Sequence, residues 1–128
     1  MFINYNINPL SKKTGDCSVR AVATATGLGW DKAFEGLVAS AYRLKTVPDD
    51  TEAIEDFLLK QGFKIGKIKI AKGDRRPTVD EFAKAHPDMY AVLRVAGHLT
   101  CSSRGNYVDI WDCGDKSVYK YWYKQINR

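Results

Sequence analysis

The sequence holds few cysteines, only two histidines and no long apolar run, and each scarcity excludes something. Its three cysteines, Cys17, Cys101 and Cys113, are odd in number and include no CxxC pair, which argues against a disulfide framework and for a reducing, cytoplasmic compartment. No stretch of about 18 apolar residues occurs, so no transmembrane helix is expected. Met1 to Asn8 lacks the basic start and apolar stretch of a secretory signal. Repeats and low-complexity segments are also missing. What is present suffices for one domain over residues 1–128. Hydrophobic residues make up 45%, so the core needs neither a disulfide nor a structural metal, and no cofactor is expected. Twenty lysines and arginines against 15 acids give a formal charge of +5, basic but short of the density that marks nucleic-acid binders.

The chain reads as helices first and strands afterwards. Met1 to Lys13 is polar, broken by Pro9, and expected to be irregular. In TGDCSVRAVATATGLG, Thr14 or Asp16 can cap a helix and Gly27 or Gly29 can end it; its alanines suit close packing at the centre of a fold. WDKAFEGLVASAYRL puts Trp30, Phe34, Leu37, Ala41 and Leu44 on one apolar stripe of a second helix. DDTEAIEDFLLKQG, with acids in its first turn and Gly62 at its end, gives a third. Period-two alternation starts at Phe63, with Gly66 expected to mark a bulge. Thr78 to Glu81 has the form of a capping box for a short helix stopping at Pro87. MYAVLRVAG then reads as a buried strand, HLTCSSRGNYVDIWD as a hairpin turning near Arg104 to Asn106, and SVYKYWY as a last strand. Helices followed by an antiparallel sheet of four or five strands make the class α+β.

Cys17 falls at the start of the first helix. Unpaired N–H groups and the positive end of the helix dipole lower a thiol pKa there, and the same groups can hold an oxyanion. Asp16 partly offsets the dipole. A thiol nucleophile needs a base and a group to orient that base. His86, beside Pro87, suits a surface position and no role. His98 stands at the start of a strand, and the hairpin brings the acids of YVDIWD back beside it. With a two-residue turn His98 shares a face with Asp109; with one residue more or fewer it shares a face with Asp112.

A cysteine opening a helix, then a histidine and an aspartate on a hairpin, resembles the papain-like cysteine peptidases. The likeness is greatest to small bacterial and phage members such as the double-glycine leader peptidases. It rests on GDC at Gly15 to Cys17, on TVDEFAKAHPDMYAVLRVAGH and on NYVDIWD, and covers Gly15 to Lys120. It implies a papain-like fold, with the nucleophile opening a central helix packed on a C-terminal antiparallel sheet. It further implies a hydrolase acting on a peptide, isopeptide or side-chain amide through Cys17, His98 and Asp112. Papain-like enzymes usually carry a glutamine about six residues before the cysteine as an oxyanion donor, where this chain has Ser11. Asn8 is the first candidate to replace it, because a side-chain amide is the chemical equivalent; Asn6 and Ser11 are alternatives.

Cys101 and Cys113 are expected to be buried packing residues. A zinc set with His98 lacks a second close ligand pair, so no metal is expected. The basic residues are uneven: Lys60 to Arg76 holds seven of the 20, and Lys116 to Arg128 four. Lys64, Lys67, Lys69, Lys72, Arg75 and Arg76 read as a solvated strand face or a patch for an anionic partner. Tyr119, Tyr121 and Tyr123 pack a half-buried face or stack on bases. Arg20, one turn after Cys17, is expected to pair with an acid. Two further classes stay open: a papain-like fold serving only as a protein-binding module, and a basic nucleic-acid-binding domain.

Overall fold

The computed structural model describes residues 1–126; the Arg128 charge counted above lies outside them. The order of elements is β1 (Phe2–Asn4), α1 (Cys17–Thr26), α2 (Trp30–Leu44), α3 (Thr51–Lys60), β2 (Lys64–Lys67), α4 (Val79–Ala85), β3 (Met89–Val95), β4 (His98–Ser103), β5 (Asn106–Asp109) and β6 (Lys120–Gln125). The class is α+β, as the order of helical and period-two segments predicts. The strands form one sheet in the order β1-β5-β4-β3-β6-β2. Among the described residues no helix is long and apolar enough to cross a membrane.

The N-terminal segment departs from expectation. Phe2–Asn4 is not irregular: it adds a strand parallel to β5, which makes the sheet six-stranded and mixed. Three residues carry no readable period. What fixes them is tertiary, since Phe2 stacks on Tyr107 with ring centroids 5.4 Å apart.

Alternation along β3 divides two apolar clusters between the faces of the sheet. Val92 joins Leu99, Cys101 and Trp122 against α1, α2 and α3. Ala91, Leu93 and Val95 join Tyr107, Cys113 and Val118 against α4. Trp122 is fully buried and its indole N–H donates to Glu55 at 3.0 Å, so both its ring and its polar edge are satisfied. Truncating it to alanine would cost about 3–5 kcal/mol.

The helices form for the expected local reasons. Asp50 caps α3 by accepting from the Glu52 N–H, and Thr78 with Glu81 completes both halves of the capping box of α4. The face that α2 buries is rotated from the expected stripe. Ala33, Leu37, Ser40 and Ala41 are inside, while Phe34 is 41% exposed. Gly66 marks no bulge either, because β2 pairs with β6 in unbroken register from Lys64↔Tyr123 to Lys67↔Lys120. Glycine is needed there because Tyr121 lies flat on the backbone: a Cβ would sit 2.1 Å from its ring. Tyr121 packs with Phe82 at 4.7 Å and with Tyr123 at 5.6 Å, so these tyrosines belong to the packed side of the sheet.

Candidate active site

Cys17 is the first residue of α1, with Asp16 at the N-cap position. The Asp16 carboxylate does not cap the helix. It is buried and accepts from Arg20 Nε at 2.8 Å, Trp30 Nε1 at 2.9 Å and Asn8 Nδ2 at 3.0 Å. Burial pushes its pKa up, but the bonds from Asn8, Arg20 and Trp30 prevail and hold it below the ordinary value. The first-turn N–H groups of α1 thus keep no side-chain cap, and Arg20 balances the charge expected to offset the dipole.

Turn chemistry decides which acid meets the histidine. Ser103 pairs with Asn106 across a two-residue turn in which Arg104 and Gly105 have φ of 53° and 88°. Positive φ at both positions is the geometry that matches strand twist, and glycine adopts it freely. With that register, His98 and Asp109 share a face, and His98 Nε2 lies 2.6 Å from Asp109 Oδ2. Asp112, the residue favoured by the resemblance, is not beside His98. It is exposed and accepts from the Tyr107 hydroxyl at 2.5 Å and the Gly114 N–H at 2.9 Å. The strand ends at Asp109, and the chain turns away before Asp112, so only Asp109 stays beside His98.

Asp109 is 3% exposed and receives more than the histidine. Arg20 Nη1 donates to its Oδ1 at 2.9 Å, the Ile110 N–H donates at 2.7 Å, and the Cys113 thiol donates at 3.6 Å. Burial would raise its pKa; the bonds from His98, Thr100 and Ile110 outweigh that and bring it to about 2. His98 shows the converse. Burial would lower its pKa, but Asp109, Cys113 and Cys17 together raise it to about 11. The neighbouring His98 is the main influence holding the Cys17 thiol below the ordinary value of 9.0; burial opposes it, and the Leu99 backbone and Arg20 assist. Nε2 is committed to Asp109, which leaves Nδ1 as the other polar edge of the ring.

The arrangement is a line of groups, Cys17–His98–Asp109–Arg20–Asp16, that ties the start of α1 to the end of β5. Trp111 covers it, its ring 4.9 Å from that of His98 and 40% exposed to solvent. Arg20 makes the structural pairing expected of it, with two acids instead of one. Part of this was readable, since Asp16 and Arg20 are four apart on a helix. The share that Cys113 and Trp111 take in the site was missed, because each depends on how the chain turns after β5.

Other expected residues lie elsewhere or are otherwise engaged. Asn8 is buried, with Nδ2 bonded to Asp16 and Oδ1 accepting from the Leu10 N–H, so its amide supports Asp16. Asn6 donates to the Lys12 carbonyl and Ser11 is exposed. Cys101 is fully buried, its thiol pushed up to about 12 by burial. His86 packs on Phe82 with centroids 4.3 Å apart. His98, Asp109 and Cys113 offer three ligand atoms within 4.8 Å of one another, a donor set that suits zinc; in this fold those atoms satisfy one another by hydrogen bonds. Lys64 and Lys67 lie on edge strand β2, Lys69 and Lys72 are exposed beyond it, Arg75 is held by Glu81 at 2.6 and 2.8 Å, and Arg76 stacks on Tyr119 at 4.5 Å.

Comparison of the chain with protein-family models, with curated proteins and with solved structures finds no match in any of the three.

Proposed function

We propose that this protein is a papain-like cysteine hydrolase that cleaves an amide, isopeptide or thioester bond by acyl transfer. The observation that carries the reading is the placement of Cys17, at the first position of α1, near a histidine whose Nε2 is held 2.6 Å from the buried Asp109 carboxylate. A thiol with a packing role needs no such placement: Cys101 is buried among apolar side chains and its pKa moves the opposite way.

In this reading His98, with its pKa raised to about 11, already holds the proton given up by Cys17, and the resulting thiolate attacks the substrate carbonyl carbon. The carbonyl electron pair moves onto oxygen, where the uncapped first-turn N–H groups of α1 receive it. Collapse of the tetrahedral intermediate expels the leaving group, which takes its proton from the His98 imidazolium and leaves a thioester on Cys17. His98 then draws a proton from water as the water attacks that thioester, and the acid product and the thiol are released. Asp109 remains ionised throughout, fixing the ring and stabilising its charged form, as an orienting carboxylate does. Arg20 in turn fixes Asp109.

The test is the rate of Cys17 alkylation by iodoacetamide as a function of pH, followed by mass spectrometry. Fast labelling well below pH 8 that is lost in His98→Ala supports the reading. Labelling that tracks an ordinary thiol, near pH 8.5, defeats it.

A further inference from the structure

A cavity of about 280 Å³ opens beside the start of α1. Gly15, Asp16 and Ser18 contribute to one wall, and Val19, Trp30, Phe34 and Pro48 supply most of the apolar surface. Trp30 and Phe34 stack nearly parallel, with centroids 5.1 Å apart and planes 9° from each other. Packing within the fold does not account for Phe34, which is 41% exposed. The one buried charge in the lining, Asp16, already accepts three donors and has nothing further to ask of a ligand. Asp49 stands exposed among the lining residues.

We propose that this cavity receives an apolar side chain, branched aliphatic or aromatic, from a residue next to the scissile bond of a polypeptide substrate. The inference rests on the hydrolase reading above. Asp16 and Ser18, which line the cavity, flank Cys17 in the chain, so the cavity lies within one helical turn of the residue that carries the sulfur. The lining is mostly carbon and rewards burial of an apolar side chain; Thr14, Ser18 and the exposed Asp49 are its remaining polar groups. A polypeptide is favoured over a small amide because the apolar surface continues past the cavity. Val38 and Tyr42 follow Phe34 at four-residue intervals on the same face of α2 and are 39% and 76% exposed. That row spans roughly 12 Å at about 1.5 Å per residue, more than a small amide covers.

The test uses acetyl-Leu, acetyl-Phe and acetyl-Gly chloromethyl ketones. The Cys17 thiolate displaces chloride from the methylene carbon of each and forms a thioether. Each rate is divided by the iodoacetamide rate of the same variant. The Leu and Phe reagents should exceed the Gly reagent by about tenfold or more, as burial of a side chain of that size allows. Phe34→Glu should bring the ratio within about twofold, and Phe34→Leu should keep most of it. Equal ratios in the wild-type protein while iodoacetamide labels Cys17 below pH 8, or a preference untouched by Phe34→Glu, overturn the inference and leave the hydrolase reading standing. Iodoacetamide labelling that follows an ordinary thiol titration overturns both.

Discussion

Where α1 meets β4 and β5, charged side chains are buried and spent on one another; along β2, at the far edge of the sheet, they stand in water. In the first region Asp16, Arg20 and Asp109 are each less than a tenth exposed and all three are paired. In the second, Lys64 and Lys67 project from an edge strand whose outer backbone groups have no neighbour strand, and lysines on such an edge discourage pairing with another chain. The surface charges dominate the net +5, and the proposed chemistry rests on the buried ones. Desolvation makes each buried charge costly alone and strongly coupled to its partner, whereas water screens the edge lysines.

Four expected outcomes would break or sharpen that contrast. The largest is Arg20→Met. It strands two buried carboxylates and should cost about 3–5 kcal/mol in urea unfolding. A loss below about 1 kcal/mol would mean that the network is not what joins α1 to β5.

His98→Ala comes next and should slow Cys17 alkylation at pH 6 on the order of 100-fold, the lower range for losing a general base. The pair also predicts a pH dependence of stability. His98 is raised from 6.5 to about 11, so its contribution is complete below pH 6.5 and lost as pH rises through about 11. Asp109 is lowered from 3.8 to about 2, so its contribution is present above pH 3.8 and lost as pH falls through about 2. The urea midpoint should therefore decline between pH 6.5 and 11 more in the wild-type protein than in His98→Gln. Parallel declines would argue against the pair.

Asp109→Asn and Asp112→Asn form the third comparison. The first should reduce alkylation at pH 6 by about tenfold, since an adjacent carboxylate is worth about one to three pKa units to its histidine. The second should leave it within about twofold. If the two effects are reversed, the hairpin register assigned to the site is wrong. The smallest effect belongs to Lys64→Gln with Lys67→Gln, expected to change stability by no more than about 0.5 kcal/mol and alkylation not at all. A marked slowing would show that the basic edge reaches the site.

Much of this fold was legible. Thr78 and Glu81 announce α4 because a capping box is a local bargain between a side chain and a backbone three residues away. Ile54, Phe57 and Leu58 point inward from α3 as their spacing requires. The rotation of α2 was not legible, because alanine and serine at its buried positions carry little hydrophobic signal while Phe34 carries much. Nor was β1, whose three residues are a strand only because β5 lies beside them.

The sequence alone determined that Cys17 opens a helix, that His98 begins a strand and that an acid of NYVDIWD returns near it, since caps, alternation and turn residues act over a few positions. Which acid it is, and that Arg20 and Asp16 stand behind it, was decided only by the tertiary structure. A single residue of turn length flips a strand's faces, and Arg20 meets Asp109 across 89 positions of chain through packing that no local pattern encodes.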